Sequence, residues 1–270
     1  MATAVIMAGF MSGTFISNTL ALLELKPQYL CTDDVTKLEY ICTPLEFCGT
    51  DIVHRVDYEY YASLHNWVDT LDLECTPKAQ IGLIGSIFFA GWAFAATFVP
   101  RLSDLYGRRV VFMISMTFHF LVYSGIILSH NFTLTIVLMF LLGMASVGRA
   151  TIGYLYLIDM TPVKQQTMTG TSLHAVNTTC AVFACLYFHY ISKQWQWFYL
   201  VGVAFNLVSV VATYFLPESP KYLHSQGKWS ELRVSMNVIA KVNRAPPLSG
   251  RFDREKINGG VFNVLNGTST

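Results

Sequence analysis

Six apolar runs decide what this chain can fold into. Residues 2–23, 79–99, 110–128, 133–158, 167–191 and 197–216 are each long enough to cross the hydrocarbon core of a bilayer, which takes about 20 helical residues. In hydrocarbon a backbone N–H or C=O has no water to bond, so each run is predicted to satisfy its own backbone as an α-helix. Composition agrees. Hydrophobic residues make up 53% and charged residues 13% of the chain, with a mean hydropathy of +0.43; a soluble domain carries about 25% charged residues. The expectation is an all-α membrane protein whose six-transmembrane-helix bundle occupies residues 1–216. No basic segment precedes the first run, which is longer than the apolar stretch of a cleaved signal, so it is read as a retained helix.

Orientation follows from the basic residues near the span ends. Arg101, Arg108 and Arg109 lie between the second and third runs, Lys164 between the fourth and fifth, and Lys221, Lys228, Arg233 and Lys241 after the sixth, all on one side. The opposite short loops offer little beyond Lys193. The positive-inside rule then predicts that the N-terminus, the 100–109 loop and the C-terminal tail are cytoplasmic. A plasma membrane or endomembrane is expected, and the inner mitochondrial membrane is also compatible with the residues.

The loop over 24–78 is long and acidic and is predicted to be non-cytoplasmic. It holds Cys31, Cys42, Cys48 and Cys75, which an oxidising compartment would pair into two disulfides, with three connectivities open. Cys180 and Cys185 fall in an apolar run and read as packing residues. After the last span, 217–243 contains an amphipathic stretch, 229–242, that fits a helix on the cytoplasmic membrane face. Residues 244–270 have no periodicity and read as a flexible tail.

Three polar segments break the apolar pattern. P-R-L-S-D-L-Y-G-R-R (100–109) is predicted to be a short turn. Gly107 would let the chain reverse, Asp104 would sit near the N-terminus of the third helix, and Arg108 and Arg109 could bridge to neighbouring acids. P-E-S-P-K-Y-L (217–223) ends the sixth helix, and Y-L-Y-L-I-D-M-T-P (154–162) ends the fourth. Together these segments resemble the N-terminal half of the major facilitator superfamily. The first is similar to its cytoplasmic signature between helices two and three, the second to the P-E-S-P-R segment of sugar porters and organic ion transporters, and the third to its tyrosine-rich segment ending in Glu-x-x-Pro. This chain departs from those patterns at Pro100 (glycine), Met139 and Gln166 (arginines), Asp159 (glutamate) and Lys221 (arginine). The long cysteine-bearing loop resembles the organic cation and anion transporter branch more than the sugar porters.

The resemblance implies a cytoplasmic gating cluster of Asp104, Gly107, Arg108, Arg109, Asp159, Glu218 and Lys221, with Asp159 paired to Arg108 or Arg109. It also implies a central cavity lined by helices one, two, four and five. His174, Asn177 and Thr178 stand at i, i+3 and i+4, on one face of the fifth helix, and Asn18, with Ser17 and Thr14, forms a weaker counterpart on the first. Solute contact and interhelical hydrogen bonding explain these residues equally well. Arg149, the one basic residue deep in a span, has two readings. It either attracts an anion or carboxylate into the cavity, or it is structural: paired with Asp159, bonded to a backbone carbonyl, or snorkelling. The structural reading is the stronger, because the resemblance places no arginine there. Gly82, Ser86 and Ala90 recur every four residues and predict a face for close helix packing, and the glycosylation pattern at Asn131 hugs the membrane and is expected to be unmodified.

No phosphate cradle, zinc-ligand spacing or nucleophile elbow appears, so no enzyme, cofactor or metal is expected. The basic residues are not interleaved with aromatics as a nucleic-acid surface requires. The resemblance implies transport of a small polar organic solute, an organic ion in the nearest branch, by alternating access. That needs membrane lipid around the chain and a second six-helix bundle: its own C-terminal half, a separate chain, or a homodimer. The alternative expectation is a carrier-derived structural subunit or anchor of a larger membrane complex. It rests on six helices alone, a start at the first helix, and the charges missing at Met139 and Gln166.

Overall fold

The structure, a computed structural model, describes residues 2–33 and 37–242; the predicted tail 244–270 lies outside the described residues. The first predicted span is not one helix. It is broken into α1 (Ala2–Ser12), α2 (Thr14–Ser17) and α3 (Leu20–Leu23). The cause is local: Ser12 Oγ donates to the Gly9 carbonyl and Thr14 Oγ1 to that of Met11, both at 2.7 Å, and Thr19 bonds the Phe15 carbonyl. Such back-bonding by hydroxyls competes with the helix ladder and bends it.

The loop that follows is not purely irregular. It builds a small antiparallel sheet of β1 (Tyr29–Thr32), β2 (Glu39–Cys42) and β3 (His54–Val56) in the order β2-β1-β3, with Tyr29 opposite both Cys42 and Val56. The all-α expectation is corrected to that extent. Two short helices, α4 (Pro44–Phe47) and α5 (Trp67–Thr70), complete it. Of the three open connectivities the structure has Cys31–Cys42 and Cys48–Cys75. Too small for a full core, the sheet buries Tyr29, both cysteines of the first bridge and Phe47. Burial and the nearby carboxylates of Glu74 and Asp69 push the Tyr29 phenol well above its ordinary value, so it stays protonated. Asn66 donates to the carbonyls of Leu22 and Leu25, and Lys193 Nζ donates to those of Tyr58 and Tyr60. The loop is thereby sewn to both the first helix and the connection before the sixth.

The remaining chain is α6 (Lys78–Ala96), α7 (Val99–Tyr106), α8 (Arg108–Leu128) and α9 (Phe132–Val147), which runs through a π turn (Gly148–Ile152) into α10 (Gly153–Asp159). Then come α11 (Val163–Tyr190), α12 (Trp195–Thr213), α13 (Pro220–Ser225) and α14 (Trp229–Val242). Among the described residues four helices are long and apolar enough to cross a membrane: Lys78–Ala96, Arg108–Leu128, Phe132–Asp159 and Trp195–Thr213. The fifth predicted run is one 28-residue helix, but its threonines, glutamines and asparagine make it too polar to join them. Most of the predicted turn over 100–109 is helical (Val99–Tyr106), and Pro100 fits because it sits in the first turn, where proline's missing N–H costs nothing. Asn131 is an N-cap: its Oδ1 accepts from the N–H groups of Thr133 and Leu134.

The tightest packing is between α6 and α9. A Cβ on Gly143 would overlap the Phe88 carbonyl oxygen, and one on Gly91 would overlap that of Phe140. Among the described residues no helix covers the expected small-residue face: nothing lies within 4 Å of a Cβ on Gly82, and Ser86 and Ala90 are exposed. The face that meets α9 is Ile84, Phe88, Gly91 and Ala95, all buried. One core cluster lies toward the disulfides (Trp67, Phe88, Tyr123, Leu142, Trp195, Tyr199) and a second toward the arginines (Ile6, Phe112, Met116, Tyr156, Leu173).

Candidate functional site

Two arrangements carry chemistry. At the arginine end, Gly107 breaks the chain between α7 and α8 with φ +106°, a conformation that L side chains rarely adopt. A glycine at the N-cap of α8 has no side chain to satisfy the exposed N–H groups there. Glu218, 109 residues beyond Arg109, supplies the cap: its Oε1 accepts from the Arg109 N–H at 2.9 Å and from the Ser219 N–H at 2.9 Å. Asp104, expected near that helix start, instead pairs with Arg108 Nη2 at 3.0 Å and is largely exposed. Arg108 Nε also reaches Asp159 Oδ2 at 3.6 Å, and Lys221 Nζ reaches Asp159 Oδ1 at 3.5 Å. Of the two arginines it is therefore Arg108 that meets Asp159, while Arg109 Nη2 donates to the Tyr214 carbonyl at 2.7 Å. The structure thus brings Asp104, Gly107, Arg108, Arg109, Asp159, Glu218 and Lys221 into one cluster.

Sequence reasoning missed the hydroxyls that fasten this cluster. Ser219 Oγ donates to Asp159 Oδ2 at 3.0 Å and accepts from the Tyr222 N–H, and Tyr222 OH donates to the Leu105 carbonyl at 2.9 Å. Ser103 Oγ accepts from Arg108 Nη1 at 2.9 Å. Ser219 lies inside the P-E-S-P segment, which reads as a helix terminator unless the side chain is asked where its own bonds go.

The second arrangement is a face of α11. Thr167, Thr171, His174, Thr178, Cys185 and His189 are all exposed, at intervals of four, three, four, seven and four residues. That is one face of a helix. Other helices expose hydrocarbon instead: Ile114 (63%) and Leu121 (61%) on α8, Val201 (60%) and Val208 (66%) on α12. Asn18 Nδ2 donates to the Asn177 carbonyl at 2.9 Å and to its Oδ1 at 3.2 Å, which joins the broken first helix to α11 beside this face. The His174 ring meets Phe10 edge-on at 6.4 Å between centroids and lies 6.1 Å from Tyr154. Phe10 and Tyr154 were not among the sequence candidates, since nothing in the pattern separates a wall aromatic from a core one. Cys185, read as a packing residue, is exposed, whereas Cys180 is buried.

Asn177, expected on that face, is only partly exposed at its edge, and two further candidates are buried. Thr14 is 3% exposed. Arg149, also a cavity candidate, is 2% exposed and packs inside the bundle, where Nη1 donates to the Phe10 carbonyl. It neither pairs with Asp159 nor snorkels, because the π turn aims it at the break in the first helix, whose freed carbonyls need donors.

Comparison with known proteins identifies the family and the fold. The family description "sugar (and other) transporter" matches residues 2–258. Solute carrier family 22 member 16 from Bos taurus is 26% identical over 219 residues, covering 80% of this chain and 37% of its own length. Organic cation/carnitine transporter 2 from Homo sapiens is 27% identical over 198 residues, covering 69% and 33%. The structure of the proton:xylose symporter XylE bound to 6-bromo-6-deoxy-D-glucose superposes with a TM-score of 0.59 at 12% identity, covering 98% of this chain and 51% of that one. Inward-open XylE from E. coli gives a TM-score of 0.55 at 13% identity, covering 96% and 57%. The likeness to XylE concerns the fold alone. The chain spans about a third of the length of the curated relatives it matches and about half of the xylose transporters. It is an integral, multi-pass membrane protein, and with the family match over nearly its whole length it belongs to the sugar (and other) transporter family of the major facilitator superfamily.

Proposed function

We propose that this chain is the N-terminal six-helix half of a carrier that moves a small polar organic solute, an organic ion, across a membrane by alternating access. The carrying observation is the polar face of α11. A helix packed among bilayer-spanning neighbours leaves Thr167, Thr171, His174 and Thr178 uncovered, and hydrocarbon is a costly environment for such side chains. A water-filled cavity closed by a second six-helix bundle gives them a solvent. The broken first helix and α11, linked by Asn18 and Asn177, form this half's share of the cavity wall, with His174 and Thr178 as solute contacts. The cluster of Arg108, Asp159, Glu218 and Lys221 acts as the gate on the cytoplasmic side, where α13 and α14 also lie. Residues 1–216 form the bundle, 217–243 the cytoplasmic helical segment and 244–270 a tail.

The test is uptake into vesicles by the full carrier containing this chain, across anionic, cationic and zwitterionic organic solutes. Saturable uptake of at least one class is expected. Thr178→Trp, which fills the polar face without entering the core, should lower it about tenfold or more while leaving the amount of folded carrier unchanged. Absence of uptake across all three classes would contradict the reading.

A further inference from the structure

Among the described residues, Arg149 is buried without a negative partner. Among the described residues, the stretches 2–23, 78–99, 108–128, 132–158, 163–190 and 195–216 contain no Asp or Glu. Asp159, at the inner end of α10, is held by Arg108, Lys221 and Ser219. The polar groups within the bundle near the break bond to one another: Asn206 Nδ2 lies 3.0 Å from Ser12 Oγ and 2.9 Å from His119 Nδ1. None of them carries negative charge. The guanidinium occupies the room a side chain on Gly13 would need, with Nη2 2.7 Å from that Cβ position. Its central carbon stands 5.6 Å over the Phe10 ring. Arginine stays protonated in proteins, so the charge is permanent.

Phe10, itself buried in the core, also lies behind the polar face, edge-on to His174. Its ring is 5.6 Å from the Arg149 Cζ and 6.4 Å from the His174 ring centroid, so the charge and His174 are at most 12.0 Å apart, the sum of those two distances. Arg149 cannot touch a solute there, but its field can. With an effective dielectric of about 20, a unit charge at that distance is worth about a tenfold change in occupancy per unit of solute charge.

We infer that Arg149 is a specificity-determining residue that sets the sign of charge the cavity accepts: the solute carries an anionic group, a carboxylate or sulfonate, against the His174 stretch of α11, and organic cations are disfavoured. This rests on the transport reading above. Arg149 acts through the field it places behind Phe10, as a positioning group, and makes no contact with the solute.

The test reads the field directly. In membranes carrying the protein with His174→Cys and Cys185→Ser, the thiol at position 174 is reacted with two thiosulfonate reagents of matched size, one anionic and one cationic. The ratio of their rates is compared with the ratio on a small free thiol. The ratio at position 174 should favour the anionic reagent by about tenfold or more, Arg149→Gln should bring it back toward the free-thiol value, and Arg149→Lys should retain most of the bias. A ratio equal to that of the free thiol, or biased toward the cation, overturns the inference while leaving transport intact. If neither reagent reacts, the α11 face is dry and the transport reading itself fails. A bias that survives Arg149→Gln likewise overturns the inference; should that variant not fold, the loss of bias is sought in Arg149→Met, and an unbiased ratio in the protein retaining Arg149 still overturns it.

Discussion

Gly143→Val should remove most of the folded protein. A Cβ at Gly143 would overlap the Phe88 carbonyl oxygen and lie 3.0 Å from Phe88 C and Trp92 N, backbone atoms that cannot swing aside. The reciprocal overlap of Gly91 with the Phe140 carbonyl means that α6 and α9 approach at two glycines, one on each helix. Between helices in lipid no water is released on contact, so this close approach is the main source of attraction. Prying the helices apart strips contacts from Phe88, Met139 and Leu142 in the adjoining core. Overpacked cores lose about 1–3 kcal/mol, and a backbone clash belongs at or beyond the upper end of that range. The monodisperse fraction in gel filtration in mild detergent should fall severalfold for Gly143→Val and for Gly91→Val. Gly82→Ala, at a position with open space, should leave it unchanged. Equal behaviour of the three variants would show that the crossing does not hold the bundle together.

Gly107→Ala is expected to cost about 2–4 kcal/mol, more than removing the Glu218 side chain it would strike. A residue other than glycine at φ +106° pays about 1–3 kcal/mol in backbone strain, and the added Cβ would sit 2.5 Å from Glu218 Oε2. Displacing that carboxylate also uncaps α8, worth about 1 kcal/mol. Glu218→Ala alone removes the cap and its charge at the helix start, about 1–2 kcal/mol in all. Because the clash and the cap involve the same two residues, the pair should not be additive. Thermal unfolding in detergent should place Gly107→Ala/Glu218→Ala above the sum of the single losses. Strict additivity would mean that Glu218 does not cap α8.

The helix-forming runs were legible because hydrocarbon allows a backbone few alternatives, and so were the motifs at their ends. What the residues did not reveal were events that depend on a neighbour. The break at Gly13 arises beside Ser12 and Thr14, and the one before Leu20 beside Thr19, where hydroxyls turn back onto carbonyls, and Arg149 then packs against the first; an apolar run of this length reads as continuous. Glu218 capping a helix 109 residues earlier, and Cys31 pairing with Cys42 rather than with Cys48 or Cys75, are long-range choices with no local signature. Gly82, Ser86 and Ala90 obey the spacing rule for close packing, yet α9 sits on the face of Phe88 and Gly91, a choice that spacing alone does not reveal. In the candidate site, His174, Asn177 and Thr178 could be placed on one face from spacing alone. Thr171, Cys185 and the wall aromatics Phe10 and Tyr154 needed the neighbouring helices to be in position.

Transport by this chain requires the polar face of α11 to border water within the membrane. Single cysteines placed along α11 in a Cys185→Ser background, at positions 167, 171, 174 and 178 and at the buried positions 170, 173 and 184, are reacted with a membrane-impermeant thiol reagent. Native Cys185 serves as the comparison. Helical periodicity is expected, with positions 167, 171, 174, 178 and 185 reacting at least about tenfold faster than the buried set, as where one face of a helix meets water. Uniformly slow reaction along the helix would mean that this face is dry, and would contradict the account.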